Sequence, residues 1–147
     1  QRDKESIIEE LQQEFDRHCG LAAEFFAGTE LFVTRKNYRM AAFNLHQAAE
    51  QTYAGIIHFL SGWRVQTHSL DKLCRYAQYL LPGLAELFPR DTEAERRLFQ
   101  FLQKAYSDTR YKKDYYIKSP ELLILKERIK KLMDLCQKMK HSIPITF

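Results

Sequence analysis

The chain reads as an all-α protein, an antiparallel up-and-down bundle of about five helices. Three observations lead there. Glycine and proline are scarce, with 5 and 4 residues, which favours long helices over strands and turns. Apolar residues recur at threes and fours along most of the chain. Cap and breaker residues separate these stretches at Asn37, Gly62, Ser69, Pro82-Gly83, Thr92 and Ser119-Pro120.

Taken in order, a first helix is expected from Asp3 to Phe32, with Ile8, Leu11, Phe15, Ala22 and Phe25 on its inner face. Thr34-Arg35-Lys36 links it to Asn37, a plausible N-cap. The second helix should run to Ser61, turning Tyr38, Ala41, Leu45, Ala48, Ala49, Thr52, Ile56 and Leu60 inward, with Gly62 at the C′ position. After a loop from Trp63 to His68, Ser69 caps a third helix bearing Leu70, Leu73, Ala77 and Leu80, which Pro82-Gly83 stops. Leu84 to Phe88 fits one short turn. Thr92 to Glu95 has the form of a capping box opening a fourth helix, which buries Leu98, Phe101, Leu102, Ala105 and Thr109. Ser119 as cap and Pro120 at the first helical position start the last helix. That helix carries a seam of Leu122, Leu125, Ile129, Leu132, Cys136 and Met139.

A chain of 147 residues fits one domain with a real core. No run approaches the ~20 apolar residues of a membrane span, and no charged-then-apolar leader opens the chain. Cys19, Cys74 and Cys136 are odd in number and far apart in sequence. They do not form a disulfide framework or a zinc-ligand pattern, and a reducing, cytoplasmic setting is expected. The five histidines lack ligand spacing, so neither a metal nor another cofactor is expected. There is no glycine-rich phosphate loop, no G-x-S-x-G and no paired Cys/His nucleophile.

The net charge of +4 is unevenly spread. Residues 1–50 hold 6 Lys/Arg against 9 Asp/Glu, whereas residues 100–147 hold 11 against 5. The basic region includes Ala105 to Ile117, AYSDTRYKKDYYI, where Arg110, Lys112 and Lys113 alternate with Tyr106, Tyr111, Tyr115 and Tyr116. Phosphate meets guanidinium and ammonium groups, and bases stack on aromatic faces, so the mixture suits a nucleotide or RNA. The plainer reading is a solvated, tyrosine-rich helix end. In the second helix Ala41, Ala42, Ala48 and Ala49 permit close helix approach, with Gln47 and Glu50 at the edge of that face. These two are either an edge-of-core pair satisfied by neighbouring backbone or water, or one of them orients Arg110 from across the bundle. His68 either organises its loop or forms a polar lip to a nearby site.

Four pieces in order, YRMAAFNLHQAAEQTYAGII, Gly62, THSLDKL and AYSDTRYKKDYYI, closely resemble the HEPN domain family of small helical bundles. Its members occur in nucleotidyltransferase-linked proteins and toxin–antitoxin modules. The resemblance extends from Tyr38 to Met139 and implies a homodimer with its cleft along the interface. It makes residues 1–147 a single HEPN-like domain. It also implies a nucleotidyltransferase partner, fused upstream of Gln1 or encoded separately. HEPN ribonucleases carry an Arg followed after four to six residues by a His, and cleave RNA without metal. Arg110 matches that arginine, but Tyr115, Tyr116 and Ile117 occupy the His positions. A phenol with a pKa of about 10 is a poor general base near neutrality.

The resemblance therefore implies a non-catalytic dimer that binds a nucleotide or RNA. Arg110, Lys112 and Lys113 would hold phosphate and Tyr111, Tyr115 and Tyr116 would stack on bases, with Gln47, Glu50 and His68 in support. Two alternatives stand beside it. One is a metal-independent endoribonuclease toxin using Arg110 with Tyr115 or Tyr116; the other is a structural dimerisation module.

Overall fold

The computed structural model describes residues 3–111 and 117–142, with the backbone alone at 108–111 and 142. Among them are five α-helices, α1 (Lys4–Thr34), α2 (Tyr38–Ser61), α3 (Leu70–Leu80), α4 (Glu93–Tyr111) and α5 (Ser119–Ser142), and a 3-10 helix at Pro82–Glu86. No strand occurs among the described residues. The fold is the helical bundle that the periodicity predicts.

The caps account for most element boundaries. Asp3 accepts the amide of Ser6 at 2.7 Å and opens α1, which runs two residues past the expected end. Asn37 accepts the amide of Met40 at 3.3 Å and starts α2. Gly62 closes α2 in the left-handed region at φ 77, its amide donating to the His58 carbonyl, a conformation that costs glycine no Cβ clash. The Thr92 hydroxyl accepts the Glu95 amide at 3.1 Å. Here the Glu95 carboxylate returns to the Thr92 hydroxyl, also at 3.1 Å, whereas the usual box sends it to the cap's amide. At α5 the expected register moves by one. The Lys118 carbonyl accepts the amide of Leu122, so Lys118 is the cap and Ser119 already lies inside the helix.

α2 is the central element and packs against α1, α3, α4 and α5. Its predicted inner face is correct as far as it goes: Ala41, Leu45, Ala48, Ala49 and Ile56 are inaccessible. Yet Ala42, His46, Tyr53, Ile57, His58 and Phe59 are buried as well, because a helix surrounded by neighbours loses its polar side. The small residues let those neighbours approach. A methyl group on Gly55 would stand 2.9 Å from Cβ of His18. All six seam residues of α5 are buried. On α4 Phe99 joins the core beside the expected Leu98, Leu102 and Ala105, with its ring 5.7 Å from that of Phe88. The side chain of Thr109 lies outside the described residues.

A charged cluster ties α1 to the middle of α2 and to the segment that follows it. Glu14 pairs with Arg17 and with Arg64, the latter at 3.2 Å. His18 Nδ1 lies 2.8 Å from Oε1 of Gln51. Hydrogen bonding to Arg17, helped by the charges of Arg17, Arg64 and His18, pulls the Glu14 carboxyl down to about 2. Burial lowers the pKa of His18 and of His58, which favours neutral imidazoles there.

Candidate functional site

Three parts of the chain converge beside α4. α2 supplies Phe43, His46, Gln47 and Glu50, which share one stripe because residues three and four apart are neighbours on a helix. The segment 62–69 brings in His68, and α4 contributes Tyr106.

His68 is held by local turn chemistry. The Thr67 hydroxyl accepts the Ser69 amide at 3.0 Å, and the Ser69 hydroxyl accepts the Lys72 amide at 3.4 Å as α3 begins. Between these bonds His68 Nδ1 meets Oε1 of Glu50 at 3.1 Å. Its ring lies parallel to that of Tyr106, with centroids 4.7 Å apart and planes inclined by 11°. Tyr106 also contacts the His46 ring at 5.4 Å and the Phe43 ring at 6.3 Å. The buried His46 places Nδ1 3.1 Å from Oε1 of Gln47.

Burial separates the parts of this cluster. Glu50 is 7% exposed, whereas the His68 side chain is 60% exposed. Desolvation raises the Glu50 pKa above the ordinary carboxylate value, against the pull of the hydrogen bond and charge of His68. The pair thus joins a buried acceptor to a solvent-facing imidazole. Donation from Nδ1 to Glu50 leaves Nε2 as the acceptor of the neutral ring.

The cluster unites three residues singled out in the sequence. Glu50 and His68 are bonded to each other, and Gln47 lies half-buried against His46. Arg110 and Tyr111 end α4, and Arg110 is one turn beyond Tyr106, the spacing that places two residues on one helical face. The side chains of Arg110 and Tyr111 lie outside the described residues, as do Lys112, Lys113, Tyr115 and Tyr116 altogether. Ile117, one of the positions where a ribonuclease histidine would fall, is 2% exposed and belongs to the core.

Sequence reasoning passed over Tyr106 and His46 as site residues. The signal is the spacing of Phe43, His46, Gln47 and Glu50 along one stripe of α2. It singles out no site by itself, because nothing local shows that the loop before α3 folds back onto it.

The class is thus a small all-α domain, with a polar and aromatic cluster where its central helix meets α4. The HEPN domain model matches residues 16–141, from within α1 to the last turn of α5. The chain belongs to the HEPN domain family. No curated protein matches it.

Proposed function

We propose that this HEPN domain works as a homodimer that binds a nucleotide or a single-stranded RNA segment at the α4 end of the cluster. It would act in the cytoplasm with a nucleotidyltransferase, fused or separate. The observation that carries the reading is the stack of His68 on Tyr106, anchored by Glu50, one helical turn before Arg110. Aromatic and imidazole faces offer surfaces for a base, while Arg110 gives the planar fork that suits phosphate. Lys112 and Lys113 add attraction, and Tyr111, Tyr115 and Tyr116 supply further rings.

The dimer is argued from the family together with the outward Leu123, Ile124 and Leu135 of α5, each more than a third exposed. The alanine face of α2 has no part in it. Ala41, Ala42, Ala48 and Ala49 are wholly buried inside the chain.

A second reading, a metal-independent ribonuclease, gains from one feature. His68 is an imidazole outside the family's motif position, and its bond to Glu50 orients it as a carboxylate orients a general base.

The test uses a fluorescein-labelled single-stranded RNA and, separately, ATP. Arg110→Ala should weaken binding by about 1.5–3 kcal/mol, the range for a hydrogen bond to a charged group. Lys113→Ala should cost less and flatten the salt dependence. Incubating the RNA with EDTA separates the readings, since intact RNA supports binding alone and a cyclic phosphate end supports cleavage. Unchanged affinity with a sharply lowered melting temperature for Arg110→Ala would make that residue structural and remove the proposed site.

A further inference from the structure

α1 and α5, which are distant in sequence, meet along an antiparallel seam. Glu30 pairs with Lys126 at one end and Asp16 pairs with Lys140 at the other. Between these ion pairs Cys19 of α1 and Cys136 of α5 are brought to one place. Both thiols line a cavity of about 210 Å³ whose wall also includes Ala22, Thr52 and Met133. Cys19 is half-buried and Cys136 fully buried. The remaining cysteine differs. Cys74 is enclosed between Tyr53 and Gln78, donating to the Tyr53 hydroxyl at 3.7 Å and accepting from Gln78 at 3.0 Å.

We infer that Cys19 and Cys136 form an oxidative modification site, a dithiol that hydroperoxides convert to a disulfide joining α1 to α5. The inference is independent of the proposed ligand site. The roles follow from access and from the neighbouring thiol. Cys19 is the more accessible sulfur, and the Cys136 thiol beside it holds its pKa below the usual thiol value, against burial and the charge of Asp16, which Lys140 offsets only in part. Cys136 is pushed upward by the Cys19 thiol and by burial, so it stays protonated. The Cys19 thiolate attacks a peroxide oxygen; an S–O bond forms, the O–O bond breaks and hydroxide leaves. Sulfur is oxidised to the sulfenic acid as the peroxide is reduced. Cys136 then attacks the Cys19 sulfur. An S–S bond forms, the S–O bond breaks, and the Cys136 proton leaves with the hydroxyl group as water. In a reducing compartment such a disulfide is transient, as fits a sensor and not a scaffold.

The experiment treats the whole chain with hydrogen peroxide, alkylates it under denaturing conditions and maps the peptides by mass spectrometry. The expected product has lost two hydrogens, links the Cys19 and Cys136 peptides, leaves Cys74 alkylated and reverts with dithiothreitol. Cys136→Ser should stop at the Cys19 sulfenic acid, captured by a 1,3-diketone probe. Cys19→Ser should give neither the link nor that adduct. Three alkylated thiols after peroxide treatment would overturn the proposal. So would a link through Cys74, or one between two chains.

Discussion

Two carboxylates beside α2 have opposite fates. Glu14 lies among Arg17, Arg64 and His18, and its pKa falls to about 2. Glu50 is buried with an imidazole as its hydrogen-bond partner, and its pKa rises. The same connecting segment serves both, sending Arg64 to Glu14 and His68 to Glu50. A guanidinium keeps its charge at any working pH and makes a lasting cross-brace. An imidazole can change charge near neutrality, and perturbed carboxyls paired with such groups gather at functional sites. The Glu14 cluster therefore reads as bracing, and the Glu50 cluster has the character of the candidate site.

The largest expected effect tests the working cluster as a packed unit. Tyr106→Ala removes the ring that touches His68, His46 and Phe43. It should cost about 2 kcal/mol of stability, below the range for a fully buried aromatic because Tyr106 is half-exposed, and should weaken RNA binding as well. Denaturant melts and RNA titrations on the same variant check this. A stability loss with full affinity would separate the stack from the ligand.

Next comes the brace. Gly55→Ala forces a methyl group against the His18 side chain. Overpacking of about 1–3 kcal/mol, partly offset by alanine's better helix propensity of about 1 kcal/mol, leaves a net loss of about 0–2 kcal/mol. Gly28→Ala meets only the tip of the Asn44 side chain, which can swing aside, so the same propensity gain should leave it neutral to slightly stabilised. Equal melting temperatures for the two variants would contradict this account.

The smaller effects carry opposite pH signs. Glu14 has its folded pKa below the unfolded value of 4.5. Its contribution is therefore present above that value and lost as pH falls toward about 2. Glu14→Gln should cost about 1 kcal/mol at pH 7, given the partial exposure of the pair, with a deficit that closes on acidification. Glu50 has its folded pKa raised, so burial stabilises the protonated form at low pH and that advantage is lost as pH rises through the folded pKa. Glu50→Gln keeps an acceptor for His68 and should stay within about 0.5 kcal/mol of wild type at pH 7, improving relative to it from pH 4 to pH 7. Urea titrations provide the comparison, from pH 7 down toward pH 3 for Glu14→Gln and from pH 4 to pH 7 for Glu50→Gln. Parallel slopes would erase the distinction between the clusters.

Much of this protein was legible in the sequence by itself. The caps at Asn37, Ser69 and Thr92, the stop at Gly62 and the α5 seam all act through neighbours within one or two turns. Local spacing therefore determines them. The family was likewise written in four short pieces, which also mark Gln47, Glu50 and His68 as supporting polar residues. Only the tertiary structure decided what these residues meet. His68 meets Glu50 across 18 residues, and Cys19 shares a cavity with Cys136 across most of the chain. The full encirclement of α2 followed from where its neighbours dock, which used the alanine face within the chain. A helical repeat specifies which residues share a face; which face of another helix lies against it depends on the packing of the whole bundle.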